Sequence, residues 1–175
     1  MGENEREERK AVLEQSRAEQ AVEAFLGGCN CAQAVFSTYA DLFGIDRKTA
    51  MNLTNSMGGG ISRLREVCGT VSAIALLTGL AEGDVDPGDL RAREKVYRRT
   101  RDLLAEFEKE NGSLICRELL GILGRDQSAR PSERTPEYYK KRPCARFVAC
   151  AARIIEENLT KKEQESLREA EISRV

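Results

Sequence analysis

The chain contains no histidine, and this absence excludes more chemistry than any residue present adds. Without imidazole it has neither the usual general base nor the commonest transition-metal ligand. Ser-His-Asp and Cys-His catalysis, Cys₂His₂ zinc sites, His-ligated haem and Glu-x-x-His di-iron bundles are all ruled out. There is also no C-x-x-C pair, which removes the thioredoxin mechanism and zinc-knuckle spacing. No apolar run approaches the roughly 20 residues of a membrane span. Net charge is only −1, from 28 basic and 29 acidic residues. That balance gives no global attraction to nucleic acid or anionic membrane, so neither is an expected partner. Met1 to Lys10 is charged and has no apolar signal region. A cytoplasmic location is therefore expected, where thiols stay reduced.

What the chain does have is sulfur: six cysteines in 175 residues, of which 41% are hydrophobic. That length supports a single domain over residues 1–175, burying roughly 70% of its surface on folding. Nearly every segment carries a helical period and none alternates like a strand, so the fold class is all-α, a helical bundle. A first helix is expected from about Asn4 to Leu26, stopped by Gly27-Gly28. Asn30 caps a second, which carries Val35, Phe36, Tyr39, Leu42 and Phe43. Asp46 caps a third through Asn55, and Gly58-Gly59-Gly60 breaks the chain. The segment from about Arg63 to Leu80 is apolar or small on almost all sides and reads as a buried central helix. In it Cys68, Ser72, Ala75 and Gly79 form a small-residue stripe that a neighbouring backbone can approach. Asp86 and Pro87 read as cap and first residue of the next helix, which ends at Asn111-Gly112. Ser113 caps a short helix through Leu120. A long charged loop with Pro131, Pro136 and Pro143 follows and reads as a lid or insertion. The last core helix starts near Pro143 and runs to about Asn158. Thr160 and Glu163 suggest a capping box for a polar terminal helix.

This map puts three cysteines in first helical turns: Cys31 after Asn30, Cys116 after Ser113, and Cys144 after Pro143. A helix N-terminus presents unpaired N–H groups and a partial positive charge, which favour thiolate over thiol. Arg117, the run Lys140-Lys141-Arg142, and Arg63 with Arg65 add cations next to Cys116, Cys144 and Cys68. The competing reading is that free cysteines pack as small buried hydrophobes. Cys150, at the edge of the last helix's apolar stripe, fits that reading best, and Cys29 is placed outside any site. The Gly58-Gly59-Gly60 loop resembles a phosphate cradle, but no Gly-Lys-Ser/Thr follows and no strand precedes it. It reads as a tight turn permitting close packing.

Several segments occur in a telling order: Asn30-Cys31-Ala32-Gln33-Ala34-Val35, Gly58-Gly59-Gly60, Glu66-Val67-Cys68-Gly69-Thr70-Val71-Ser72-Ala73, Ile115-Cys116-Arg117-Glu118-Leu119-Leu120-Gly121 and Cys144. Together they resemble the redox-active proteins named for a C…GCAxxG…C…C cysteine pattern, over about residues 21–157. The charged N-terminal and polar C-terminal helices flank that core. The resemblance places the four family cysteines on Cys31, Cys68, Cys116 and Cys144. Thr70 stands where the family usually has Ala, and Ala73 where Gly is frequent. A similar domain occurs in split-Soret cytochromes, but this chain has no C-x-x-C-H, so haem is not expected.

The leading expectation is a thiol redox protein with Cys31, Cys68, Cys116 and Cys144 gathered in one region. They would serve as redox cysteines exchanging electrons with an unidentified donor or acceptor, or as ligands to an iron–sulfur cluster or zinc. The alternative is a non-enzymatic helical interaction module, a homo-oligomer among its forms, whose cysteines pack or hold a structural zinc.

Overall fold

The computed structural model describes residues 16–83 and 85–160. Among them are eight α-helices: α1 (Arg17–Leu26), α2 (Cys31–Tyr39), α3 (Arg47–Leu53), α4 (Gly69–Glu82), α5 (Leu90–Asn111), α6 (Cys116–Leu119), α7 (Pro136–Lys141) and α8 (Cys144–Asn158). No strand forms among the described residues; a single antiparallel bridge joins Val67 to Ile115. No described helix is long and apolar enough to cross a membrane.

Local signals set most boundaries. Ser16 and Glu19 form a capping box at the start of α1. Ser16 is extended, with φ −64° and ψ 147°, so no uninterrupted helix runs from Asn4 to Leu26; residues 1–15 lie outside the described residues. Asn30 accepts from the N–H groups of Ala32 and Gln33, both at 2.9 Å, and its own N–H donates to Gln33 Oε1 at 3.0 Å. Asp46 accepts from Thr49 N at 3.0 Å, and α3 closes at Leu53, two residues before the expected Asn55. The cap of α5 is Asp89, not Asp86. Asp86 instead accepts from Gly88 N at 2.7 Å and closes a turn just ahead of the helix. Ser113 likewise takes Ile115 N at 3.0 Å, and α6 begins at Cys116. Part of the supposed loop is helical, since Thr135 caps α7 with Pro136 in its first turn. The proposed Thr160 and Glu163 box falls at the limit of the description, and Glu163 lies outside the described residues.

The central helix is the main correction. It starts at Gly69, not Arg63, and Cys68 is its N-cap. Arg63 to Val67 belongs to the preceding loop because Ile61, Ser62, Arg63 and Arg65 all have positive φ, at 56°, 46°, 69° and 61°. Each such non-glycine residue costs about 1–2 kcal/mol. Backbone bonds hold the loop: Arg65 N to Gly59 O at 3.2 Å and Glu66 N to Gly60 O at 3.1 Å. The proposed stripe is not where a neighbour approaches. Ser72 and Ala75 are only half-buried, and a Cβ on Gly79 would meet nothing within 4 Å.

The core packs α4 between α2, α5 and α8, with α1 laid across α2 and α8. Phe25, Val35, Phe36, Ile74, Leu77, Phe107, Val148 and Ile155 fill it. Full burial of such a side chain is worth about 1.5–3 kcal/mol. Tyr39 Oη, deeply buried, donates to the Ala152 carbonyl at 3.0 Å and ties α2 to α8.

Candidate functional site

Two helices that meet in this core also begin at the same end of it. Cys31 is the first residue of α2 and Cys144 the first of α8. Cys116 opens α6, and Cys68 caps α4. Backbone pairing fixes the last two: Cys68 N donates to Leu114 O at 2.9 Å and Cys116 N to Glu66 O at 2.6 Å. All four cysteines line one cavity of about 40 Å³. They are free thiols; Cys31 is half-buried and the other three are buried. Each therefore sits at a helix start, where the first N–H groups carry a partial positive charge.

Two glycines permit this closeness. A Cβ on Gly69 would stand 2.9 Å from Ala32 N and 3.2 Å from Cys31 Cβ, so the N-termini of α2 and α4 touch only because it is absent. Gly60, at φ +68°, packs against Cys116, whose Cβ would lie 2.6 Å from an added methyl. The glycine loop is thus a close-packing device against the cysteines.

The four sulfurs are not equivalent. Cys31 and Cys144, at the starts of their helices, face the same cavity, and each is the largest influence on the other's thiol. The Cys31 thiol, helped by Arg142, Arg134 and Arg65, lowers the Cys144 thiol from the ordinary 9.0 to about 7 despite its burial. The neighbouring Cys144 and burial push Cys31 well above the ordinary thiol range. Burial raises Cys68 to about 11, although its sulfur lies 3.1 Å from Thr70 Oγ1. Thr70, the departure from the family pattern, thus supplies a hydroxyl partner to a site cysteine. Burial also raises Cys116, partly offset by the Arg65 guanidinium.

The sequence neighbours suggested as cations divide. Arg65 lines the cavity with Cys116 and pairs with Asp126 at 2.8 Å, and Arg142 lines it too. Arg117 turns away to Glu66 at 2.7 Å, and Lys140 and Lys141 are exposed. Two lining residues, Arg134 and Tyr138, have no signal in the sequence near any cysteine; the 121–143 segment carries them over the cavity. Cys29 and Cys150 do not line it. The Cys29 carbonyl accepts from Arg134 Nη2 at 3.4 Å. Cys150 packs between α8 and α5, beside Asn111 at 3.2 Å and Glu110 at 3.4 Å, and its thiol is raised mainly by burial. Among the described residues no three Cys, Asp or Glu side chains are gathered tightly enough to hold one ion.

Fold and site together define an all-α protein built around a cavity of four cysteines at four helix N-termini. The model of the family described as "Putative redox-active protein (C_GCAxxG_C_C)" matches residues 29–158, and the chain belongs to that family. No curated protein and no solved structure matched the chain.

Proposed function

We propose that the protein is a dithiol–disulfide redox protein in which Cys144 is the attacking thiolate and Cys31 its resolving partner. The observation that carries this reading is that Cys31 and Cys144, each the first residue of its helix, line one small cavity beside Arg134 and Arg142. A thiol beside a thiolate is one proton and two electrons from a disulfide. Oxidation joins the two sulfurs, releases the Cys31 proton, and passes both electrons to an acceptor. An attacking thiol works best with a pKa near ambient pH, which is the position of Cys144. Arg65, Arg134 and Arg142 favour its anionic form.

Cys68 and Cys116 support a second reading, thiolate metal binding, because they share the cavity with the pair. That reading requires at least three sulfurs to close to about 2.3 Å from one zinc ion. Anaerobic purification with metal analysis and thiol counting separates the two. The redox reading expects metal-free protein, two of the site thiols lost on mild oxidation, and a Cys31–Cys144 disulfide in peptide mapping. A stoichiometric metal that protects three or four of the thiols would replace it with the metal reading. Recovery of both Cys31 and Cys144 as free thiols after oxidation would also refute it.

A further inference from the structure

Beside the cysteine cavity lies a second pocket of about 480 Å³. Asn30, Gly59, Arg65, Arg134, Tyr138 and Arg142 line both, so the two share a wall. Small-molecule sites have volumes of roughly 300–1,000 Å³. The charge of this pocket has one sign: Arg63, Arg65, Arg134 and Arg142 line it, and no Asp or Glu does among the described residues. Asp126 pairs with Arg63 and Arg65, which offsets only part of that charge. Among the described residues Arg134 and Arg142 have no carboxylate partner. Their planes rest on rings instead. Arg134 lies 4.6 Å from the Tyr138 centroid and 5.1 Å from that of Phe25, and Arg142 lies 5.0 Å from that of Tyr138. Stacking fixes a guanidinium and leaves its N–H edge to grip an anion.

Arg134 gives the second, independent sign. Its Nη1 is buried and has no hydrogen-bond partner. A buried donor on a cation is costly to leave unmet, and such an orphan in a native structure calls for an acceptor. An anion in the pocket would supply one after a small shift of the Arg134 side chain towards it.

Resting on the dithiol reading above, we infer that this pocket binds the anionic end of a low-molecular-weight disulfide, RSSR, and presents its S–S bond to Cys144 and Cys31. The Cys144 thiolate attacks one sulfur, forming a Cys144–S–S–R mixed disulfide and expelling RS⁻. That thiolate takes up a proton to become RSH. Cys31 then gives up its proton and attacks the Cys144 sulfur. The intramolecular disulfide forms, and the second RS⁻ leaves with that proton. The protein pair loses two electrons and the one proton of Cys31, the first RS⁻ takes its proton from solvent, and RSSR becomes two RSH. The arginines that favour the Cys144 thiolate also stabilise each departing RS⁻.

The test compares two chromogenic disulfides on the full chain carrying Cys29→Ser and Cys150→Ala. One is dianionic, 5,5′-dithiobis(2-nitrobenzoate); the other is neutral, 4,4′-dithiodipyridine. Thiolate fraction cancels in the ratio of their rates, and dithiothreitol supplies the reference ratio. The anionic reagent should be favoured about tenfold or more over that reference, the scale of a charge-assisted bidentate contact. Arg134→Gln should bring the ratio back towards the reference. Because that side chain also packs on aromatics, a second measurement needs no variant. Sodium sulfate should slow only the anionic reagent, beyond the effect of sodium chloride at equal ionic strength. A ratio equal to the reference and indifferent to sulfate would overturn the anion pocket, while a Cys31–Cys144 disulfide still formed would leave the dithiol reading standing. If neither reagent produced that disulfide, the dithiol reading would fail, and this inference with it.

Discussion

Removing the Cys31 thiol should make Cys144 an ordinary, sluggish cysteine near neutral pH. The largest influence lowering the Cys144 thiol is Cys31, ahead of Arg142, Arg134 and Arg65. With its pKa at about 7 rather than 9.0, Cys144 is about half ionised at pH 7. An ordinary thiol at the higher value would be about 1% ionised, a difference of roughly fiftyfold. Lower basicity weakens each thiolate, by roughly sixfold to tenfold over two units at a Brønsted slope of about 0.4–0.5. The ionisation gain wins, leaving a net advantage of roughly fivefold to eightfold at pH 7. The sign follows from a thiol being an acid: the reactive form accumulates as pH rises through about 7. The assay is iodoacetamide alkylation across pH, with Cys144 followed by peptide mass spectrometry. Burial slows the reagent at every pH alike, so the midpoint is the readout. Cys31→Ala should move the midpoint upward towards the ordinary thiol range, with the arginines limiting the rise. A wild-type midpoint above about 8.5, or one unmoved by Cys31→Ala, would refute the thiol–thiolate pairing.

Three further outcomes are expected. Gly60→Ala places a methyl 2.6 Å from Cys116 Cβ and 2.8 Å from Glu66 N at φ +68°; left-handed strain plus overpacking should cost roughly 2–5 kcal/mol, and a urea midpoint close to wild type would contradict the packing. Cys150→Ala should lower stability by about 1 kcal/mol through the small void it leaves, with oxidation of the Cys31–Cys144 pair unchanged; loss of that oxidation in the folded variant would place Cys150 in the site. Asp126→Ala strips the carboxylate from Arg65, whose side chain is only 4% exposed, and should destabilise by roughly 1–3 kcal/mol. Equal stability of that variant in chemical denaturation would show that the pair carries no structural weight.

Local chemistry determined much of this protein in advance. Helical periodicity gave an all-α bundle, and the caps Asn30 and Asp46 lie where their side chains can meet the next free N–H groups. Cys31, Cys116 and Cys144 could be assigned to first turns because a helix start is written in adjacent residues. The start of α4 could not be read this way. An apolar stretch from Arg63 onward satisfies a helical period, yet the left-handed run at Ile61, Ser62 and Arg63 is stabilised by bonds back to the glycine loop. Those bonds exist only once the loop has folded, so they leave no periodic trace. The same holds for the site. That Cys31 and Cys144 line one cavity, and that Arg134 comes over them from the 121–143 segment, depends on which helix ends the core brings together. Spacing along the chain carries no record of that, because distance in the folded molecule is set by packing of α2, α4 and α8 rather than by residue number.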